Sequence, residues 1–176
     1  MTERLVKPAV RAAFLAALVA SARLAGADDP PSIEHTPAPC TVPNRAVLLC
    51  AAISDDSQVV TARVYFRRAG QDFYNFVDMG FTGLNYCATL PAPREGRIRS
   101  IEYYVQALDN LFQPTRTSTF QLAVQPENIC EFAPVEKDAK KAADIKVFAT
   151  NKKQGRKLDD SFVETGVTYV PFPAPR

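Results

Sequence analysis

Apolar and polar residues alternate along two long segments of the chain, and each alternating segment meets an Asp-containing turn. The first covers residues 46–68, AVLLCAAISDDSQVVTARVYFRR, and the second covers residues 100–110, SIEYYVQALDN. A period of two places alternate side chains on opposite faces of a β-strand, so one face packs inward and the other meets water. This alternation is typical of antiparallel sheets. The pattern therefore predicts an all-β fold, an antiparallel β-sandwich.

Turn residues divide the middle of the chain into short segments, as at Ala69-Gly70 and Asp109-Asn110. Seven strands are predicted, near residues 33–37, 46–54, 60–68, 72–79, 85–90, 99–108 and 117–124. In the 72–79 strand, the alternation places Tyr74 and Phe76 inside. We expect a lead-in at 28–32, a sandwich at 33–124 and a C-terminal extension of mixed, partly ordered structure at 125–176. In that extension we expect a short helix at 136–143, and two strands at 145–149 and 167–170 that form a small hairpin or join the sandwich edge.

The first 27 residues are typical of a secretory signal peptide. Three basic residues lie within residues 1–11, an apolar run follows at 12–22, and a small-residue cleavage site ends at Ala27. The apolar run is shorter than the roughly 20 residues that cross a membrane, although an uncleaved anchor is the alternative. We expect cleavage near Ala27 and a secreted or periplasmic protein with no membrane span afterwards.

The charge of the chain without its signal peptide is close to balanced, except in one basic segment. Loss of the signal peptide removes four basic residues and one acidic residue, which lowers the formal net charge from +2 to −1. We therefore expect no nucleic-acid partner, because such binding depends on positive charge. Residues 140–157 depart from this balance, with seven basic residues and one acid. This run either contacts an anionic envelope polymer or lipid head groups, or it is a solvated tail.

Four cysteines follow the signal peptide, at positions 40, 50, 87 and 130. An even number of cysteines in an exported chain indicates disulfides, and the chain has no C-x-x-C spacing for a zinc site. The alternation points Cys50 and Cys87 to the outer faces of their strands, where they meet if those strands are neighbours. We favour the pairs Cys50–Cys87 and Cys40–Cys130. The alternative is Cys40–Cys50 with Cys87–Cys130.

Several segments resemble the fibronectin type III and immunoglobulin-like modules of bacterial exported proteins. They are residues 59–68, the aromatic segment 72–79, the NYCATLP segment from Asn85 and the SIEYYVQALDN segment from Ser100. The resemblance covers residues 33–124 and implies a seven-stranded sandwich. It implies no particular function, because such folds host many unrelated functions. The chain departs from these modules at Gln58, where Gly is common, and it contains no Trp.

The outward residues of the two longest strands form a candidate binding face. Arg63, Tyr65 and Arg67 alternate on one strand, Tyr104 points outward on its neighbour, and Phe73 is expected to flank them. Tyr and Arg are enriched at interface hot spots, and tyrosine rings can also stack on sugars or peptide groups. The alternative is that these residues pair across strands and only stabilise the sheet.

Oxygen-rich turns give a second, weaker candidate. Asp55, Asp56, Asp109 and Asn110 end two strands whose turns share one pole in the fibronectin III arrangement. Their oxygens are a calcium candidate, because Ca²⁺ takes six to eight oxygen ligands. Asp and Asn are also ordinary turn residues that bond their own backbone. We therefore expect no metal site and no cofactor.

Catalysis finds little support in the sequence. His35 is the single histidine, the cysteines are expected to be oxidised, and no Gly-rich phosphate loop is present. We expect a non-enzymatic exported module that binds a protein or an envelope polysaccharide through its Tyr/Arg face or its loops. The alternative is a structural accessory or spacer domain of a larger surface assembly.

Overall fold

The computed structural model describes residues 28–163 and 165–171 of the chain. The predicted signal peptide, residues 1–27, lies outside the described residues. The elements are β1 Ser32–Glu34, β2 Cys40–Thr41, β3 Val47–Ser54, β4 Val59–Arg68, β5 Asn75–Asp78, β6 Gly80–Phe81, β7 Tyr86–Leu90, β8 Ser100–Asp109, β9 Pro114–Arg116, β10 Phe120–Val124, α1 Ala139–Ala143, β11 Val147–Ala149, a 3₁₀ turn Lys152–Gln154 and β12 Val167–Tyr169.

The strands form two sheets, which confirms the all-β prediction. The smaller sheet has the order β1-β3-β7-β6, and the larger has the order β12-β11-β5-β4-β8-β10-β2. β9 pairs with the last part of β8, beyond the part that pairs with β10. Neighbouring strands are antiparallel except for β2 with β10 and β11 with β12. The inward side chains of the two sheets meet in one hydrophobic core.

The segment after residue 125 contributes to this core. Val147, Ala149, Leu158, Phe162 and Val167 are buried in the same cluster as the inward residues of β3, β4 and β8. β11 extends the larger sheet because it pairs with β5. β11 and β12 run parallel, so they do not form the small hairpin that was one expectation for this segment. The predicted short helix is present as α1, and none of its residues is buried.

The face assignment of β5 was wrong by one residue. Tyr65 pairs with Phe76 and Val64 with Val77, so Val77 points into the core with Val64. Phe76 lies on the outer face and is nevertheless only 1% exposed, because Phe148 of β11 packs against it. A strand that is buried on both faces loses the alternation on which the prediction depended.

Both favoured disulfides are present. Cys50 and Cys87 face each other directly across β3 and β7. Cys40 and Cys130 are joined over a sequence separation of 90 residues. Two disulfides are compatible with an extracellular or periplasmic protein. Within the described part of the chain, no helix is long and apolar enough to cross a membrane.

Candidate functional site

An aromatic row crosses the outer face of the larger sheet. Phe148, Phe76, Tyr65 and Tyr104 lie opposite one another on β11, β5, β4 and β8; we call these four residues the aromatic ladder. The Tyr65 and Tyr104 rings stack with centroids 4.8 Å apart and planes 7° apart. The centroids of Phe76 and Phe148 are 5.3 Å apart. Arg116 of β9 ends the row, with its guanidinium 4.8 Å from the Tyr104 ring centroid.

Both arginines of the predicted face are paired within the protein. Arg63 Nε donates to Asp78 Oδ1 at 2.8 Å. Arg67 Nε donates to Glu102 Oε2 at 2.7 Å, and the guanidinium lies 4.2 Å from the centroid of the Tyr74 ring. Oriented ion pairs and cation–π contacts of this kind link neighbouring strands. Neither guanidinium is left without a partner inside the fold.

The structure therefore brings together the four predicted residues Arg63, Tyr65, Arg67 and Tyr104, but it covers them more than expected. Tyr65 is 6% exposed although it points away from the core. Burial, and then the neighbouring Tyr65, raises the pKa of Tyr104 to about 12. This geometry fits the cross-strand alternative better than an open binding face.

A second surface lies at one end of the sandwich, where β3 and β8 end and β4 and β7 begin. We call it the loop end, and it consists of the turns at residues 55–58, 82–85 and 109–113 with the strand residues beside them. The Ser57 hydroxyl lies 3.0 Å from Asn110 Oδ1, which joins the first turn to the third. Large exposed apolar side chains are concentrated here: Val60, Phe81, Leu84, Leu111 and Phe112.

Buried and half-buried acids hold these turns in place. The Asp109 side chain is fully buried, and its Oδ1 accepts hydrogen bonds from the backbone N–H of Leu111 at 2.8 Å and of Gln113 at 2.7 Å. Asp55 Oδ2 accepts in the same way from the backbone N–H of Gln58 at 2.8 Å. These are the bonds by which Asp residues fix turns. The turns therefore have a set shape before any partner arrives.

The geometry gives the calcium candidates a turn-holding role. Asp55 and Asp109 each commit an oxygen to backbone amides, and Asn110 contacts Ser57. Over residues 28–163 and 165–171, no group of three or more His, Cys, Asp or Glu side chains is arranged to hold a metal ion. Asp55 Oδ1 and Asp109 Oδ2 are buried with no hydrogen-bond partner among the described residues, and a calcium site at these turns stays a prediction.

Acidic groups lie near the 109–113 turn of the loop end. Asp28 reaches this end from the lead-in, where Gln113 Nε2 donates to its Oδ2 at 3.1 Å. Desolvation, and then the charges of Asp56 and Asp109, raises the pKa of Asp28 above its ordinary value. The exposed Leu111 and Phe112 thus belong to a turn that has acidic neighbours.

Phe112 has the least expected conformation at the loop end. Its φ is +62°, in the left-handed region that disfavours a bulky side chain, and its side chain is 74% exposed. The strained backbone is therefore not offset by burial of the ring. Sequence reasoning missed this residue, although the signal was present: Leu111-Phe112 follows Asp109-Asn110 in a turn where polar residues are usual.

His35 has a structural environment. Its Nδ1 lies 2.8 Å from the Cys50 carbonyl oxygen, which only accepts, so Nδ1 carries the hydrogen. Nε2 then accepts from the Tyr103 hydroxyl, also at 2.8 Å. Burial raises the pKa of Tyr103, which keeps that phenol protonated. The imidazole thus bridges β3 of one sheet and β8 of the other.

Comparisons with known proteins do not identify a relative. No family model matches the chain, and no curated protein matches it either. The choice between candidate functions therefore depends on the two surfaces described above, the aromatic ladder and the loop end.

Proposed function

We propose that this chain is a non-enzymatic exported binding module that recognises an extracellular or envelope protein through its loop end. Its proposed class is the seven-stranded immunoglobulin or fibronectin III-like sandwich. Seven strands support that class: β1, β3 and β7 in one sheet, and β5, β4, β8 and β10 in the other. The proposed export is supported by the two disulfides and by the signal-like sequence of residues 1–27.

One observation carries the proposal: an exposed phenylalanine is held in a left-handed backbone conformation. Gly or Asn would occupy the position of Phe112 at less conformational cost. Backbone strain that burial of the side chain does not offset is concentrated at sites of function. We therefore expect the exposed Phe112 side chain to contact a partner protein.

The surroundings of Phe112 favour binding. Leu111 lies beside it and is also exposed, and the fully buried Asp109 fixes the turn beneath both. A pre-formed turn loses little conformational entropy on association, so more of the contact energy remains as affinity. Aromatic anchors on such a turn are the residues that fill a pocket on a partner protein.

The chemistry of the loop end indicates the partner. Its exposed apolar side chains, Leu111 and Phe112 among them, require an apolar pocket or groove on the partner. The acidic residues Asp28, Asp55 and Asp56 of the same end favour basic residues around that pocket. A protein surface with an apolar centre and a Lys/Arg rim fits both conditions.

The second candidate function, a structural accessory or spacer domain, is supported by the aromatic ladder. There the outward aromatic and arginine residues contact one another, and the Cys40–Cys130 disulfide joins β2 to the segment that follows β10. Under this alternative, the chain stiffens an assembly and the loop end has no dedicated partner.

Site-specific photo-crosslinking separates the two functions. The full exported chain is made with p-benzoylphenylalanine at position 112, and a matched chain carries it at position 73, where Phe73 is exposed beside the ladder. We expect a discrete protein adduct from position 112 and none from position 73. An adduct from position 73 alone would assign binding to the sheet face. No adduct from either position would favour the spacer function.

A further inference from the structure

A groove lies beside the aromatic ladder, between the β8–β9 face and the 3₁₀ turn. Its cavity of about 310 Å³ has aromatic walls from Phe73, Tyr74 and Tyr104. A second cavity of about 420 Å³ adjoins it and shares Asp72, Phe73 and Gln154 with it. Together they form an open, elongated depression with Phe73 at the junction. Small-molecule sites are commonly clefts of this size range.

The groove contains polar side chains whose hydrogen-bonding groups are free. In the described part of the chain, the side chains of Asp72, Gln106 and Thr150 form no hydrogen bond or ion pair with another residue. Among the same described residues, the guanidinium of Arg116 makes one ring contact, with the face of Tyr104, and no hydrogen bond or ion pair. The set combines a carboxylate acceptor, an amide, a hydroxyl and a guanidinium donor. A ligand that is rich in both donors and acceptors would satisfy all of them.

Charged residues of both signs line the groove. Asp72 and Arg116 line the first cavity, and the second adds Lys153, Lys157 and Asp159. A strongly anionic or cationic ligand would therefore find both attractive and repulsive groups. An uncharged ligand with many hydroxyl groups meets no such conflict.

Phe73 adds a flat apolar surface to this polar groove. Phe73 is 41% exposed, whereas the ladder rings have their faces against other side chains. The C–H groups of a pyranose ring form an apolar face that packs on such a ring, while its hydroxyls bond the polar groups around it. From these features we infer that the groove binds an uncharged oligosaccharide, with one sugar on Phe73 and its neighbours in the two cavities.

This site is separate from the loop end, so its failure leaves the proposed protein-binding function untouched. The test is ligand-observed NMR and calorimetric titration of the full chain with cellotetraose, maltotetraose and chitotetraose. Tetragalacturonate serves as the charged probe of similar size. We expect at least one uncharged tetrasaccharide to bind with a Kd of about 1 mM or tighter.

Three variants locate that binding. Phe73→Ala removes the stacking surface and Gln106→Ala removes an amide, and each is expected to weaken binding about tenfold or more. Phe81→Ala, which removes an exposed ring at the loop end, is the matched control and should bind as the parent chain does. Circular dichroism verifies that each variant is folded.

The inference is overturned by any of three results. One is the absence of binding by all three uncharged tetrasaccharides at about 10 mM. Another is binding that survives both Phe73→Ala and Gln106→Ala. The third is tighter binding of tetragalacturonate than of any uncharged probe, which would show that charge and not the neutral polar groove selects the ligand.

Discussion

The aromatic ladder and the loop end both place aromatic residues outside the core, yet they differ in what surrounds those residues. In the ladder, Phe76 and Tyr65 are covered by neighbouring rings and by arginine. At the loop end, Leu111 and Phe112 extend from a turn that is fixed beneath them. An outward direction is therefore not enough to make a binding surface. The contacts that a residue already makes within its own fold decide whether it remains available to a partner.

The largest expected effect is the loss of a ladder ring. Phe76→Ala should lower the free energy of unfolding by about 3–5 kcal/mol, because it removes a buried aromatic side chain and leaves a cavity between Tyr65 and Phe148. Phe81→Ala is the matched change at the loop end, and there the expected change is within about 0.5 kcal/mol. Urea denaturation of both variants measures the difference. Equal effects of the two changes would remove the distinction between the surfaces.

The next largest effect on stability distinguishes Arg67 from Arg63, the two arginines beside the aromatic ladder. Arg67 and Glu102 form a largely buried pair, whereas Asp78, the partner of Arg63, is more than half exposed. We expect Arg67→Ala to cost about 1–3 kcal/mol of unfolding free energy and Arg63→Ala less than about 1 kcal/mol. A thermal or urea melt of each variant provides the measurement. A larger loss from Arg63→Ala would contradict the contact geometry described here.

A smaller effect appears at alkaline pH. The pKa of Tyr104 in the folded protein is about 12, above the value of about 10 expected in the unfolded chain. The folded state therefore holds this proton more tightly. The resulting stabilisation is fully present below pH 10 and is lost as the pH rises towards 12. Melting temperatures recorded between pH 9 and pH 12 should fall less steeply for Tyr104→Phe than for the parent chain, and equal slopes would be the contrary result.

Local alternation could predict much of the fold, because β3 and β8 are each buried mainly on one face. In β3 and β8, inward and outward residues alternate, which also points Cys50 outward towards Cys87. The same rule failed for β5. Phe148 covers the outer face of β5. It lies more than 70 residues later in the chain, and the alternation pattern does not indicate that its strand pairs with β5.

The candidate site was less predictable for a related reason. The sequence identified Tyr65 and Tyr104 as outward neighbours, and they are, but it held no information that Arg116 and Phe76 would occupy the free faces of that pair. Phe112 escaped prediction because turn rules describe which residues favour a turn. These rules do not identify a residue, such as Phe112, that occupies a turn in an unfavourable backbone conformation.

The central claim is that the exposed Phe112 ring serves a partner and not the fold, and the variant Phe112→Gly tests it most directly. Urea denaturation should show a free energy of unfolding that is higher by about 0.5–1 kcal/mol, with an unchanged slope, because glycine relieves the left-handed strain and no buried contact is lost. A decrease of about 1 kcal/mol or more would contradict the claim, since it would mean that the Phe112 ring stabilises the folded chain itself.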